Sequence, residues 1–139
     1  MLLRAYSLAL VALVALVAAG CGGNALSKHE LHKEIGSVQS FAAEGSTLAQ
    51  GAAESRSTTI FVRVHSEYLE EGAKKLQQKL DQAHVSTGLE PKRSAAAKLA
   101  ADVDEALAEL HGSPGDRDLA HRLQLELSKA ADDAEQLAK

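Results

Sequence analysis

The sequence predicts an all-α protein, built as an up-down antiparallel bundle of about four helices. Alanine supplies 26 of the 139 residues, proline occurs twice, and aromatic residues make up 3% of the chain, which favours helices. Apolar residues recur at helical spacing in four segments, separated by short stretches rich in glycine, serine or proline. Short connections between long helices favour antiparallel neighbours. A bundle in which two helices merge into one is the main alternative.

The first helix is predicted to begin at a capping box, in which Ser27 and Glu30 satisfy each other's backbone amides. Its inward face then follows helical spacing: Leu31, Ile35, Val38, Phe41 or Ala42, Gly45, Leu48 and Ala52. Glycine weakens a helix by about 1 kcal/mol relative to alanine. Either this helix is the least stable of the four, or Gly45 marks a close helix crossing. A break is expected at residues 53–57.

The second segment begins with β-branched residues, and a strand over Thr58–Val64 is an open alternative. The continuation favours a helix, because one apolar stripe runs through Phe61, Val64, Tyr68, Leu69, Ala73, Leu76, Leu80 and Ala83. The opposite face is predicted to be solvated, because it holds opposite charges at i,i+4 spacing: Arg63/Glu67, Glu70/Lys74 and Glu71/Lys75.

The third and fourth helices are separated by a tight turn at residues 113–116. Residues 86–88 end the second helix, and Pro91 fits the first turn of the third. The stripe of the third helix is Ala96, Leu99, Val103, Ala106 or Leu107 and Leu110, with Gly112 expected just past its end. The stripe of the fourth, which reaches Lys139, is Leu119, Leu123, Leu127, Ala130, Ala134 and Leu137.

An apolar segment precedes the predicted bundle. It runs over Leu8–Gly20, follows the single basic residue Arg4, and ends in small residues directly before Cys21, the only cysteine in the chain. The polar break Gly22-Gly23-Asn24 comes next. A basic start, a short apolar run and small residues at its end are typical of a bacterial signal peptide.

The end of this segment resembles the lipobox of bacterial lipoprotein precursors, which reads aliphatic, small, Gly or Ala, then Cys. Ala19, Gly20 and Cys21 match this pattern, whereas Ala18 stands where leucine is usual. The resemblance covers only the first twenty-odd residues. It implies a diacylglyceryl group on the Cys21 thiol and cleavage between Gly20 and Cys21. It also implies a location on the extracytoplasmic side of the cell membrane.

This interpretation divides the chain into residues 1–20 as signal peptide, residues 21–26 as the lipidated cysteine with a short flexible tether, and residues 27–139 as the bundle domain. An uncleaved membrane anchor and an ordinary secretory signal are the alternatives. The Leu8–Gly20 run is shorter than the ~20 residues that a spanning helix requires, which disfavours the anchor. No cofactor is expected beyond the covalent diacylglycerol.

Charge and cysteine content argue against several classes of protein. The formal net charge is −4 at pH 7, and it becomes −5 once Arg4 leaves with residues 1–20. Nucleic-acid binding and a polybasic grip on anionic lipid both rely on clustered Lys and Arg, so neither is expected. The single cysteine would carry lipid, so no disulfide is predicted.

Histidine offers the best candidate metal chemistry, with six residues in the chain. His29 and His32 lie close together but lack the i,i+4 spacing of the His-Glu-x-x-His zinc motif, so they are weak candidates. We predict exposed histidines that bind no metal.

Two further pairs, Asp81/His84 and Asp118/His121, have the carboxylate-x-x-His spacing of di-iron bundles. The predicted topology places them at opposite ends of the bundle, and His121 should point away from the apolar stripe. The sequence contains no Gly-x-Ser-x-Gly elbow and no glycine-rich phosphate loop before a helix, so an enzyme is not expected.

The sequence therefore predicts a non-catalytic helical interaction or structural module, with a small-ligand or metal-binding carrier as the alternative. With lipid near the start of the first helix, the Ala53–Ser57 and Gly112–Asp116 loops should lie at the far end of the bundle. Binding residues concentrate in loops on rigid scaffolds. We therefore expect Arg56, Asp116 and Arg117 to contact an envelope protein that the sequence does not identify.

Overall fold

The computed structural model describes residues 25–139 and contains four α-helices in that range. The helices are α1 Lys28–Ala53, α2 Thr59–Gln82, α3 Glu90–Gly112 and α4 Arg117–Ala138, and a 3₁₀ turn at Thr87–Leu89 leads into α3. The predicted all-α bundle of four helices is confirmed. The strand and merged-helix alternatives are wrong. Gly20, Cys21 and the predicted signal peptide lie outside the described residues.

The helices form an antiparallel ring. Helix α1 packs most extensively against α4, and α2 against α3, while the α1–α2 and α3–α4 contacts close the ring and α1 reaches α3 across the centre. Each helix therefore has two antiparallel neighbours, as the short connections predicted.

Side-chain caps begin three of the four helices. The side chains of Ser27, Thr58 and Asp116 accept hydrogen bonds from backbone amides in the first turns of α1, α2 and α4. The Ser27–Glu30 capping box is present as predicted. Pro91 occupies the first turn of α3, where its missing amide hydrogen leaves no bond unmade.

The α3 terminus differs from the prediction. Gly112 belongs to the last turn of α3 and is not left-handed, and Ser113 caps the helix by donating its backbone amide to the Glu109 carbonyl. Within residues 25–139, the only residue with positive φ is Ser55, at 55°, in the turn after α1.

The core consists mainly of leucine, valine and alanine. The predicted stripes of α1, α3 and α4 are largely confirmed, although Leu99, Leu119 and Leu137 are half-buried. The largest fully buried side chains are Leu31, Ile35, Leu69, Leu80, Leu107, Leu110, Leu123 and Leu127.

Gly45 lies at a close helix crossing, as one of the two interpretations of that glycine predicted. A Cβ atom added there would lie 2.9 Å from Cδ2 of Leu107 and 3.2 Å from Cδ1 of Leu127. Next to it, the Ser46 hydroxyl donates to the backbone carbonyl of Gln124, 3.0 Å away. Small residues at positions 45 and 46 therefore let α1 lie close to both α3 and α4.

The predicted stripe of α2 is wrong over its first half. Phe61, Val64 and Tyr68 are exposed, and the core face runs instead through Val62, Ser66, Leu69, Ala73, Leu76 and Leu80. The exposed residues and the buried residues both follow a helical period. Because Ser66 is polar, the face that is buried resembled a polar face in the sequence. The Ser66 hydroxyl is fully buried but satisfied, because it donates to the Val62 carbonyl at 2.7 Å.

Only one of the three ion pairs predicted on α2 forms among the described residues. Glu71 and Lys75 approach to 3.6 Å. Glu70 turns instead to α3, where its Oε2 lies 3.1 Å from Nδ1 of His111. The prediction considered pairs within α2 alone, whereas the neighbouring helix offers Glu70 a partner.

Candidate interaction surfaces

The two ends of the bundle are fixed by a few hydrogen bonds. At the N-terminal end, the Leu26 amide donates to the His84 carbonyl at 2.8 Å, and Nδ1 of His32 lies 3.1 Å from the Ala138 carbonyl oxygen. The entering chain, the α2–α3 connection and the end of α4 therefore lie together.

At the opposite, distal end, the α1–α2 and α3–α4 connections meet. Nε of Arg117 donates to the Ala53 carbonyl at 3.0 Å. Gly115 in turn lies beside Thr59, whose side-chain atoms are 3.9 Å from a Cβ built on that glycine. The expected grouping of these loops, away from residue 25, is confirmed.

The three residues proposed as partner contacts all lie at the distal end, but two of them also stabilise the fold. Asp116 caps α4 through the amide of Leu119 at 3.0 Å, and Arg117 satisfies a carbonyl at the end of α1. Arg56 is exposed and paired with Glu54. A test that replaces all three residues would therefore disturb the fold as well as any contact.

An open depression of about 940 Å³ occupies this end. Its lining mixes charged, small and apolar side chains: Ala53, Gly115, Asp116, Arg117, Asp118, His121, Arg122 and Leu125. Both arginines already bind within the protein, Arg117 to the Ala53 carbonyl and Arg122 to Glu109 and Glu126. The two guanidinium groups that would bind an anionic ligand therefore already have partners within the protein.

The histidines are distributed over the bundle. His29 is exposed, and His32 is bonded to the end of α4. His84 and His121 lie at opposite ends, as predicted, and both are exposed. Across the described range 25–139, three or more His, Cys, Asp or Glu side chains never come together in a metal-binding arrangement.

Sequence reasoning missed the most distinctive surface, which we call the α2 patch: Ile60, Phe61, Val64 and Tyr68. These side chains are 78%, 54%, 60% and 68% exposed, respectively. They cover about two turns of one face of α2, opposite the face that enters the core. The sequence does contain the signal, because the first half of α2 has two apolar stripes and a bundle helix needs one.

Aromatic rings order this patch. The ring of His65 stacks between those of Phe61 and Tyr68, at centroid distances of 5.4 and 6.2 Å. Nε2 of His65 also lies 2.8 Å from Oε1 of Glu44 on α1, which holds the imidazole in place. Phe61 and His65 border a groove of about 330 Å³ between α1 and α2. Ring stacking and the contact with Glu44 therefore hold the aromatic side chains of the patch in a defined arrangement.

A smaller group of polar side chains lies between α2 and α3, where Asp104 is near Glu70 and Glu70 pairs with His111. Partial burial raises the pKa of Asp104 above its ordinary value, and the nearby Glu70 carboxylate adds to this shift. Lys74 acts in the opposite direction. The cluster couples two helices electrostatically.

Comparison with known protein families, with curated proteins and with solved structures found no match to this chain. None of the four described helices combines the length and the apolar character that a membrane span requires.

Proposed function

We propose that the protein is a bacterial lipoprotein of the cell envelope, a non-catalytic helical interaction module held at the extracytoplasmic side of the cell membrane by diacylglycerol on Cys21. The α2 patch is the observation that carries the interaction module. The lipobox-like sequence before Cys21 supports the anchor.

The composition makes this patch informative. Residues 25–139 contain three aromatic side chains, Phe41, Phe61 and Tyr68, and the last two are exposed on the surface of one helix. Isolated exposed apolar residues are ordinary, but the largest contiguous apolar patch of a monomer is often functional. Aromatic residues also dominate the energetics of protein interfaces. A protein contact explains why this face of α2 is apolar.

The N-terminal end of the described chain and the α2 patch lie far apart on the bundle. The chain enters at Ala25, beside His84, whereas the α2 patch begins at the distal end of α2. From Tyr68 to Gln82 the helix rises about 20 Å, at about 1.5 Å per residue. A lipid on Cys21 would therefore leave the patch accessible above the membrane surface.

Photo-cross-linking in native membranes tests the module. A photoreactive phenylalanine analogue at Phe61 should capture protein, and the same analogue at Leu125 on α4 should capture little. Leu125 is a matched control, because it is 57% exposed and apolar but lies alone on its helix. Capture of lipid only at Phe61 would contradict a protein-binding surface above the membrane.

Intact mass tests the anchor separately. The mature chain should begin at Cys21 and carry the added mass of its acyl groups, and Cys21→Ser should release the protein from the membrane. Two acyl chains hold a protein stably where one is marginal. A mature chain beginning at Met1 would contradict the lipoprotein.

A small-ligand carrier is the second candidate, and the distal depression of about 940 Å³ is the observation in its favour. A carrier would use polar groups that converge on its ligand. Native mass spectrometry of protein extracted from membranes checks this candidate, because a retained small molecule would support it. His121→Ala, which removes an exposed polar side chain from the lining of the depression, should then lower retention, and an equal retention in that variant would place the ligand elsewhere.

A further inference from the structure

We infer that the partner of the α2 patch is a second copy of this chain, with the two α2 helices packed in parallel around a two-fold axis. This inference rests on the proposed function, since it names the partner of the same surface. Three features carry it: the spacing of the patch, the position of the membrane attachment, and the size of the apolar area.

The spacing is that of a helix–helix seam. Phe61, Val64 and Tyr68 follow one another at intervals of three and four residues, the a-d-a pattern of a coiled coil. Val62 and Leu69 point the opposite way, into the core of the same copy. Helix α2 therefore has one apolar face toward the core and a second apolar face, about two turns long, toward solvent.

The position of the membrane attachment favours one symmetry for the pair of copies. Both copies would leave the membrane through residues 21–25, and Ala25 lies at the N-terminal end of each bundle. In an antiparallel α2 pair, the N-terminal end of one copy would point away from the membrane to which the other copy is attached. A two-fold axis parallel to α2 keeps both ends together. Each seam residue then meets its own counterpart, as a two-fold interface requires.

The charges limit the seam to the first half of α2. Glu71 and Lys75 continue the same face beyond Tyr68, and each would meet its own like charge across the axis. Their mutual ion pair at 3.6 Å is already satisfied within one copy. The apolar contact therefore ends at Tyr68, about two turns from its beginning.

The area sets the strength. The four side chains of the α2 patch expose on the order of 500 Å². A symmetric contact then buries about 1,000 Å² in total, the lower limit for a specific interface. Such a contact is weak between free molecules. Attachment to one membrane raises the effective concentration of the partner, and a weak contact then suffices.

Disulfide trapping in membranes tests the inference on the full chain. The native Cys21 would carry lipid, so an introduced cysteine is the one free thiol. Val64→Cys and Tyr68→Cys should each form a disulfide-linked homodimer on oxidation. Leu125→Cys, equally exposed and at a similar depth on α4, should stay monomeric. Adding Phe61→Ser to Val64→Cys should lower trapping about tenfold, since it removes one buried aromatic ring per copy.

The outcomes separate this inference from the proposed function. Homodimers at both seam positions support the parallel pair. Trapping at Val64→Cys without Tyr68→Cys overturns it, because an antiparallel pair places the two copies of residue 68 far apart. Equal trapping at Leu125→Cys shows random collision and also overturns it. Capture of a different protein overturns the self-association and leaves the interaction module standing. A homodimer in the unmodified chain through Cys21 contradicts the lipid anchor itself.

Discussion

Helices α2 and α4 both begin at the distal end and run toward the N-terminal end, yet they distribute their apolar residues differently. Helix α4 buries one stripe, Ala120, Leu123, Leu127, Ala130 and Ala134, and its outer face is polar apart from Leu125. Helix α2 buries an equivalent stripe and also exposes the α2 patch on its opposite face. One stripe is enough to hold a helix in this bundle, so folding does not require the second stripe on α2, which we propose as an interaction surface.

Neighbouring residues on α2 should give the sharpest test of this comparison. Leu69→Asp should lower the free energy of unfolding by roughly 3 to 5 kcal/mol, as should Leu123→Asp on α4, because each places an unpaired carboxylate in the core. Tyr68→Asp should change it by about 0.5 kcal/mol or less, because that side chain is already in water. Urea unfolding followed by circular dichroism measures all three. Equal losses at residues 68 and 69 would place the patch in the core.

Two glycines of α1 should respond in opposite directions. Gly45→Ala should lower the free energy of unfolding by about 1–3 kcal/mol, because its methyl group would press on Leu107 of α3 and Leu127 of α4. Gly36→Ala should raise it by about 1 kcal/mol, because nothing lies within 4 Å of the added atom and alanine favours the helix. Thermal unfolding of the two variants checks the pair. A stabilising Gly45→Ala would mean that α1 and α4 are less closely packed.

The helix count, the capping box of α1, the position of Pro91 and the grouping of loops could be predicted from the sequence, because periodicity and these Ser, Glu and Pro positions are local signals. The caps of α2 and α4 at Thr58 and Asp116 were not predicted. Gly45 was informative because a glycine inside an apolar stripe needs a packing reason. Which face of α2 packs into the core could not be predicted, because Val62–Ser66–Leu69 and Phe61–Val64–Tyr68 both fit a helical period. Only the neighbouring helices decide between them, and they also give Glu70 its partner on α3.

The distal residues show a similar limit. Asp116 and Arg117 looked like free loop charges, but one caps α4 and the other bonds to the end of α1. Asp116→Ala should therefore lower the free energy of unfolding by about 1 kcal/mol through the lost N-cap. Asp116→Asn, which keeps a capping oxygen, should restore most of that stability. Urea unfolding of both variants checks that Asp116 caps α4. An unchanged free energy of unfolding in Asp116→Ala would show that this residue is a surface charge with no role in the cap.

The smallest effect should come from Asp104 on α3, which lies near the Glu70 carboxylate on α2. Burial and that neighbouring charge raise its pKa, so the folded protein holds a proton there more tightly than the unfolded chain does. Its contribution is therefore most favourable below the ordinary Asp pKa and is lost as the pH rises through the raised, folded-state pKa. Asp104→Asn removes this loss. The variant should match the parent near pH 3.5 and become the more stable of the two toward pH 7. We expect a gain below about 1 kcal/mol, because Asp104 is only partly buried. Urea midpoints of both proteins across this pH range measure it. A parent that stays the more stable at pH 7 would show that the attraction of Lys74 outweighs burial and the charge of Glu70.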